Sequence, residues 1–373
     1  MDGTVNKRKC FYQISKKNRQ VYDYHQTFKY PNKQKHLNFQ YILLNLVATF
    51  PFIYHYYKMI DLKSRLKGGI LGLVVGDALG VPVEFKSRAY LNEKPIDDMV
   101  GYGTYRQAPG TWSDDSSMTF CTLDSLCRGY NLNDLANNFL KWRSESFWTP
   151  YGIVFDIGIS TNNAILKFKN SKNPRTAGND DEKSNGNGSL MRILPMAFYL
   201  KNEAIDKRFE IISEVSAITH AHIRSSMACL IYIEMARLLI TGADKFTAYI
   251  EAVNSAKAFF ESAGIEPDEI NKFARILDGQ IQSLDQNRIS SSGYVVDSLE
   301  ASIWSLLTTA SFHDAVLKSV NLGGDTDTTG AITGGLAGIH YGFDSISSNW
   351  TKKLARIEDI LHLIEKFYTY ISV

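Results

Sequence analysis

Residues 61–80 read DLKSRLKGGILGLVVGDALG, and this stretch decides the fold class. Asp61 offers an N-cap oxygen, and Leu62, Leu66, Ile70 and Leu73 recur at three- and four-residue intervals, the spacing of one helix face. Gly69, Gly72 and Gly76 would let a second backbone approach closely. Outward from this helix the same grammar continues. Leu132, Leu135, Phe139 and Trp142 form an amphipathic stripe, and further helices are expected over 209–218, 225–240, 246–262, 268–277, 295–309 and 351–370. Gly242 and Gly264 sit where helix C-termini need glycine. Strand-like alternation is nearly absent, so the fold is expected to be all-α. Residues 169–188, rich in Asn, Lys, Gly and Asp, are expected to form a long surface loop.

The chain has 373 residues, 44% of them hydrophobic, enough to bury a large core. Its formal net charge of +2 is unevenly spread: residues 1–60 hold 10 Lys/Arg against 2 Asp/Glu, leaving the remainder at −6. The division expected is therefore a basic extension over 1–58, with Tyr12, Tyr22, Tyr24, Phe28 and Tyr30 among its lysines, and a main domain over 59–373. Such an arm suits an interface, while the mildly acidic body does not suit nucleic acid. The uncharged run 39–57 is interrupted by Gln40, Asn45, Thr49, Pro51 and His55, which leaves too few consecutive apolar residues for a membrane helix. Cys10, Cys121, Cys127 and Cys229 form no CxxC pair and read as reduced thiols of a cytoplasmic protein.

Three acidic segments carry the chemistry. Gly76-Asp77-Ala78-Leu79-Gly80 leads to Glu84; Gly110-Thr111-Trp112-Ser113-Asp114-Asp115-Ser116 opens a helix; and Asn321-Leu322-Gly323-Gly324-Asp325-Thr326-Asp327-Thr328-Thr329-Gly330 repeats that arrangement at another loop-to-helix junction. Hydroxyl and carboxylate oxygens in this pattern suit Mg²⁺ or Mn²⁺ better than zinc, although Asp and Ser before a helix also serve simply as caps. Carboxylates crowded together repel unless cations neutralise them. Asp156 stands apart from these loops, either as a catalytic carboxylate or as a helix cap. Gly186-Asn187-Gly188 follows a polar loop, and its amides could cradle a diphosphate. His220 and His222 follow a helix, where an imidazole faces either a ligand or the core.

In order, these segments resemble the ADP-ribosylglycohydrolase family: GDALG with Glu84, Trp112-Ser113-Asp114-Asp115, Phe155-Asp156-Ile157-Gly158, Gly186-Asn187-Gly188-Ser189-Leu190-Met191-Arg192, Thr219-His220-Ala221-His222 and Leu322-Gly323-Gly324-Asp325-Thr326-Asp327-Thr328. They span residues 62–344. The resemblance implies a multi-helix fold with a binuclear cleft, its two Mg²⁺ or Mn²⁺ ions held by Glu84, Ser113, Asp114, Asp115, Asp325, Asp327 and Thr328. Many relatives carry Thr where this chain has Ser113, whose hydroxyl still coordinates. The resemblance further implies catalytic roles for Asp156 and Asp115, and substrate contacts from Asn187, Gly188, Ser189 and His220.

The expected activity is hydrolysis of the N-glycosidic bond of ADP-ribosylated arginine on a protein, with ions that polarise the ribose hydroxyls and water. ADP-ribosylserine hydrolysis and a non-catalytic scaffold are the alternatives. An extension such as 1–58 also resembles those of immunity hydrolases in the family, which bind an ADP-ribosyltransferase toxin and occlude its active site.

Overall fold

In a computed structural model of the chain, residues 60–372 are described, and expectations for the extension 1–58 lie outside them. Among the described residues there is no β-strand; two isolated bridges, Asn179 with His220 and Gly186 with Tyr294, are the whole of the β pairing there. The helices of nine or more residues are α1 (Leu62–Gly80), α2 (Asp114–Leu126), α3 (Leu132–Glu145), α4 (Ile159–Ser171), α5 (Ile205–Ala217) and α6 (Ile223–Ile240). They continue with α7 (Lys245–Ser262), α8 (Val295–Leu307), α9 (Phe312–Val320), α10 (Thr326–Tyr341) and α11 (Ile357–Ile371).

The helix α1 is long and apolar enough to cross a membrane, yet 94% of its apolar window is buried inside the protein, so it is the central core helix. Asp61 caps it by accepting from the Ser64 amide at 2.7 Å. Its main partner is α10. The two run antiparallel at very short range because glycines face glycines every fourth residue: Gly68 against Gly338, Gly72 against Gly334, and Gly76 against Gly330. A methyl group on Gly76 would sit 2.0 Å from the Gly330 carbonyl oxygen, and one on Gly80 only 2.3 Å from the Asp327 Cα. The glycine stripe therefore brings the end of α1 directly against the start of α10, which is where the acidic loops lie. The helices α6, α8 and α9 pack on α10; α5 and α7 cover α6; and α2 joins α3 and α11.

Most expected helices are present, with Gly242 (φ +96°) and Gly264 (φ +69°) just past the ends of α6 and α7. Three expectations are corrected. The helix expected over 351–370 is broken: one short helix, Ser348–Lys353, ends where Leu354 turns extended, and Arg356, at φ +57°, caps the start of α11. The helix expected over 268–277 divides at Phe273 into Pro267–Lys272 and Ala274–Leu277, because the Phe273 ring is fully buried and its backbone leaves helical geometry. The loop 169–188 begins inside the last turn of α4 and is tucked in at its centre. There Ala177 is buried, the Gly178 amide donates to the Ala217 carbonyl at 2.9 Å, and the Ala221 amide donates to the Asn179 carbonyl at 2.9 Å.

Candidate active site

The acidic segments meet because backbone and side-chain bonds tie their loops together. After α1, a single turn at Val81–Val83 delivers Glu84. The next residues pair with the loop ahead of α10: the Phe85 amide donates to Gly324 O at 2.8 Å, and the Gly324 amide donates to Lys86 O at 2.9 Å. Gly324, at φ +74°, leaves no room for a side chain, since a Cβ would lie 2.3 Å from the Ser291 carbonyl oxygen. Arg88 straps the same corner, donating to the carbonyls of Leu322, Gln286 and Ile289. On the other side, Asp77 is fully buried and accepts from the Ser113 and Ser116 amides and from the Ser116 hydroxyl. These bonds fix the N-terminus of α2, and with it Asp114 and Asp115.

The result is a cleft of about 290 Å³ lined by Glu84, Asp114, Asp115, Asp156, Asp325 and Thr328 among others. Carboxylate oxygens of Glu84, Asp156 and Asp327 lie within 4.8 Å of one another. Thr328 Oγ1 donates to Asp115 Oδ2 at 3.2 Å, and Asn187 Nδ2 donates to Asp325 Oδ2 at 2.8 Å. None of these acids joins an ion pair among the described residues. Glu84 Oε2, Asp115 Oδ1 and Asp327 Oδ2 are buried without any hydrogen-bond partner.

Such orphaned anionic oxygens are costly in a protein interior unless a cation or a proton answers them. Burial, and then repulsion from Asp156, pushes the Glu84 carboxyl up to about 9. Burial raises Asp77 to about 7 against the hydrogen bonds it receives from Ser113 and Ser116. Asp114, Asp115 and Asp327 are driven well above the carboxylate range, first by burial and then by one another's charge, and Asp325 is raised by the same burial. Hard oxygens converging without counter-charge match the coordination preference of a small divalent cation. The residues present therefore fit a metal.

A prediction follows for metal removal. Because these folded-state values are raised, the metal-free fold holds protons that the unfolded chain releases above about pH 4. Its stability is present below that pH and is lost as pH rises through about 7 for Asp77 and about 9 for Glu84. In a chelator, the melting temperature is expected to fall steadily from about pH 5.5 to about pH 9, and saturating Mg²⁺ is expected to flatten that fall by taking the protons' place. Differential scanning calorimetry with and without Mg²⁺ checks it; parallel curves would contradict it.

A profile of ADP-ribosylglycohydrolases matches residues 58–373. The chain belongs to the ADP-ribosylglycohydrolase family. It is 33% identical to an ADP-ribosylarginine hydrolase Tri1 of Pseudomonas putida over 82% of this chain and 78% of that protein. It is 30% identical to the ADP-ribosyl-[dinitrogen reductase] glycohydrolase of Rhodospirillum rubrum, over 79% of this chain and 91% of that one. A solved structure, an ADP-ribosylglycohydrolase-related protein complex, superposes with a TM-score of 0.69 at 29% identity, covering 83% of this chain and 98% of its own. The chain is accordingly a glycohydrolase that acts on ADP-ribosyl linkages.

Within this ADP-ribosylglycohydrolase, the residues expected from sequence distribute unevenly. Glu84, Asp114, Asp115, Asp325 and Thr328 line the cleft, Asp327 joins its carboxylate cluster, and Ser113 stands just behind, with its hydroxyl 3.3 Å from Asp115 Oδ2. Asp156 does not stand apart: a left-handed backbone (φ +54°) turns its carboxylate into the acidic cluster itself. Asn187, Gly188 and His220 reach the cleft wall. The Asn187 amide is already committed to Gly293 O at 3.1 Å, however, so this residue positions Asp325 instead of completing a nest of free amides. Ser189 is fully buried, with its hydroxyl 3.6 Å from Cys229 Sγ, and is not among the residues that line the cleft. His220 is a buried neutral ring, held down at about 3 by burial and by Arg192. Its Nδ1 lies 2.8 Å from Thr219 Oγ1.

Arg192 and Tyr105 also shape the cleft, through bonds that their sequence surroundings do not announce. Arg192, fully buried, donates to Gly188 O and Thr219 Oγ1, both at 2.7 Å, and so fixes the Gly186–His220 wall. Tyr105 donates its hydroxyl to Asp156 Oδ1 at 2.6 Å, an orientation that no local motif announces. Tyr105→Phe is expected to lower kcat about 10-fold, the effect of one lost hydrogen bond to the Asp156 carboxylate, with little change in KM or melting temperature. Steady-state kinetics on an ADP-ribosylated substrate check it; an unchanged kcat would remove Tyr105 from the site.

Proposed function

We propose that this protein hydrolyses the N-glycosidic bond between ADP-ribose and an arginine side chain, with two Mg²⁺ or Mn²⁺ ions in the acidic cleft. The observation that carries the reading is the set of buried, unpartnered carboxylate oxygens on Glu84, Asp115 and Asp327, with Asp156 at their edge. Glu84, Ser113, Asp114, Asp115, Asp325, Asp327 and Thr328 would hold the ions, which when bound supply Lewis-acid polarisation of the ribose hydroxyls and neutralise the acids.

The protein's own groups account for the acceptor. Tyr105 holds Oδ1 of Asp156 and so orients its carboxylate to pair with a guanidinium and to accept a proton from the attacking water as the C1′–N bond breaks. The C1′–N electron pair goes to the guanidine nitrogen, which takes the water's proton back from Asp156, so that arginine leaves as the guanidinium cation that this anionic wall accommodates while the water oxygen stays on C1′. Asn187 keeps Asp325 in register, and the neutral His220 presents an uncharged edge to the sugar side. Support for arginine over serine comes from the extra carboxylate at the mouth and from the Pseudomonas putida relative's name. Incubation with ADP-ribosyl-arginine and ADP-ribosyl-serine peptides side by side tests it: release from arginine is expected, and preferential release from serine would overturn it.

A second role is proposed for residues 1–58, as an arm that binds an ADP-ribosyltransferase toxin and so gives immunity. It rests on the basic, tyrosine-rich composition of the segment, which lies almost wholly ahead of the family match. Deletion of 1–58 from an Asp327→Ala background is expected to abolish toxin binding; unchanged binding would end the idea. A cytoplasmic site of action is proposed with it, supported by the unpaired thiols of Cys121, Cys127 and Cys229.

A further inference from the structure

We infer that the mouth of the cleft is a docking surface for the folded protein that carries the ADP-ribosyl group, and that Tyr102, Tyr151 and Ile153 read that protein's surface. Among the described residues, twelve large apolar side chains are exposed, and the five most exposed of them all lie within five residues of Glu84, Tyr105 or Asp156 in the chain. Phe85, Tyr102, Tyr151, Ile153 and Ile159 are between 59% and 81% accessible, whereas the other seven lie between 36% and 46%. An apolar group gathered at one opening, and not scattered over the molecule, marks an interaction site.

The loops that carry these side chains are pinned to the catalytic wall. Thr104 donates its amide to Pro82 O and its hydroxyl to Glu84 O, and the next residue, Tyr105, holds Asp156. The 149–153 turn is closed by the Gly152 amide donating to Thr149 Oγ1 at 3.0 Å, and Arg356 donates to Thr149 O at 3.0 Å from across the domain. A pinned rim loses little entropy on binding. Phe85 and Tyr102 also adopt left-handed backbones, at φ +64° and +65°, which strains bulky residues while folding gains nothing from burying their rings.

The partner follows from the reaction, and here the inference rests on the proposed function. A modified side chain that reaches Asp156 leaves its own protein lying against the cleft mouth, so the occupant is that protein's surface, with uncharged, apolar side chains flanking the modified arginine. Phe85 and Ile159 line the cleft itself and would touch the ADP-ribosyl-arginine. Tyr102, Tyr151 and Ile153 are outside the cleft lining and exposed to solvent.

The test compares two substrates with the full chain and Mg²⁺. One is the labelled protein pool of a bacterial lysate modified by an arginine-specific transferase; the other is free ADP-ribosyl-arginine. The triple variant Tyr102→Ser, Tyr151→Ser, Ile153→Ser is expected to release ADP-ribose from the protein pool at least about 10-fold more slowly while cleaving the free compound within about twofold of wild type. Phe246→Ser with Ile250→Ser, on the exposed side of α7, is expected to change neither rate. Equal rates on both substrates, or equal losses on both, would overturn the inference. So would a wild-type dimer in sedimentation that the triple variant dissociates without slowing release from protein, since the surface would then be a self-contact. Should the wild type cleave only serine-linked ADP-ribose, the arginine reading falls, and the rim is judged by the same ratio on a serine-modified pool.

Discussion

Asp327→Ala is expected to lower kcat/KM at least about 10³-fold while leaving the fold intact. The carboxylate sits at 1% exposure beside those of Glu84 and Asp156, and its Oδ2 has no hydrogen-bond partner among the described residues. Loss of a metal-binding oxygen removes several kcal/mol of charge stabilisation from the transition state, and about 4 kcal/mol corresponds to that fall in rate. The metal-free fold behaves differently. Burial and its acidic neighbours drive Asp327 well above its ordinary range, so its removal relieves repulsion, against the modest loss of the bond it accepts from the Thr328 amide. The variant's melting temperature in a chelator is expected to stay within a few degrees of wild type or to rise, and Mg²⁺ is expected to stabilise it far less. Asp180→Ala removes an equal charge from an exposed loop and is expected to change neither rate nor stability. Kinetics and calorimetry on both variants decide the matter; turnover at the wild-type rate by Asp327→Ala would remove this residue from the site.

Gly76→Val is expected to leave no folded protein at room temperature. Its first added carbon would lie 2.0 Å from Gly330 O and 2.4 Å from Gly330 C, and both belong to helix backbone. Neither α1 nor α10 can yield locally, since Gly72 is as close to Gly334 and Gly68 to Gly338. Separating the helices would break packing along the whole core, a loss of more than about 4 kcal/mol. The same glycines hold the end of α1 against Asp327, so milder damage there should act on the site: Gly80→Ala is expected to lose activity before it loses fold. Gly158→Ala, whose added methyl would meet nothing nearer than 3.8 Å, is the stability control. Circular dichroism melts of the three variants check this, and a folded Gly76→Val would mean the helices are not in contact.

The legible parts of this molecule are those encoded locally. The Asp61 cap, the leucine spacing and the glycines of 61–80 make α1 readable, because each acts within a few residues of itself. The glycines on α10 were not read as its partner stripe, although they repeat every fourth residue, since nothing local says which helix they face. The cleft acids are legible because both Asp-rich loops open helices, and crowded carboxylates need a common explanation. The helix α4 was missed: it starts at Gly158 without a side-chain cap and runs through Thr161, Asn162 and Asn163, which read as loop. Arg356 was unreadable as a helix break because its left-handed backbone accompanies a long-range bond to Thr149 O and contact with the Trp148 ring. Tyr105 meets Asp156 across fifty-one residues of chain, a pairing set by the fold alone.

Crystals grown with Mn²⁺ and measured at the manganese absorption edge would show whether Glu84, Asp115, Asp325 and Asp327 converge to hold divalent cations. Anomalous peaks are expected in the cleft within about 2.3 Å of oxygens from both acidic loops. An empty cleft at saturating Mn²⁺, with Asp115 and Asp325 turned away from each other, would contradict it.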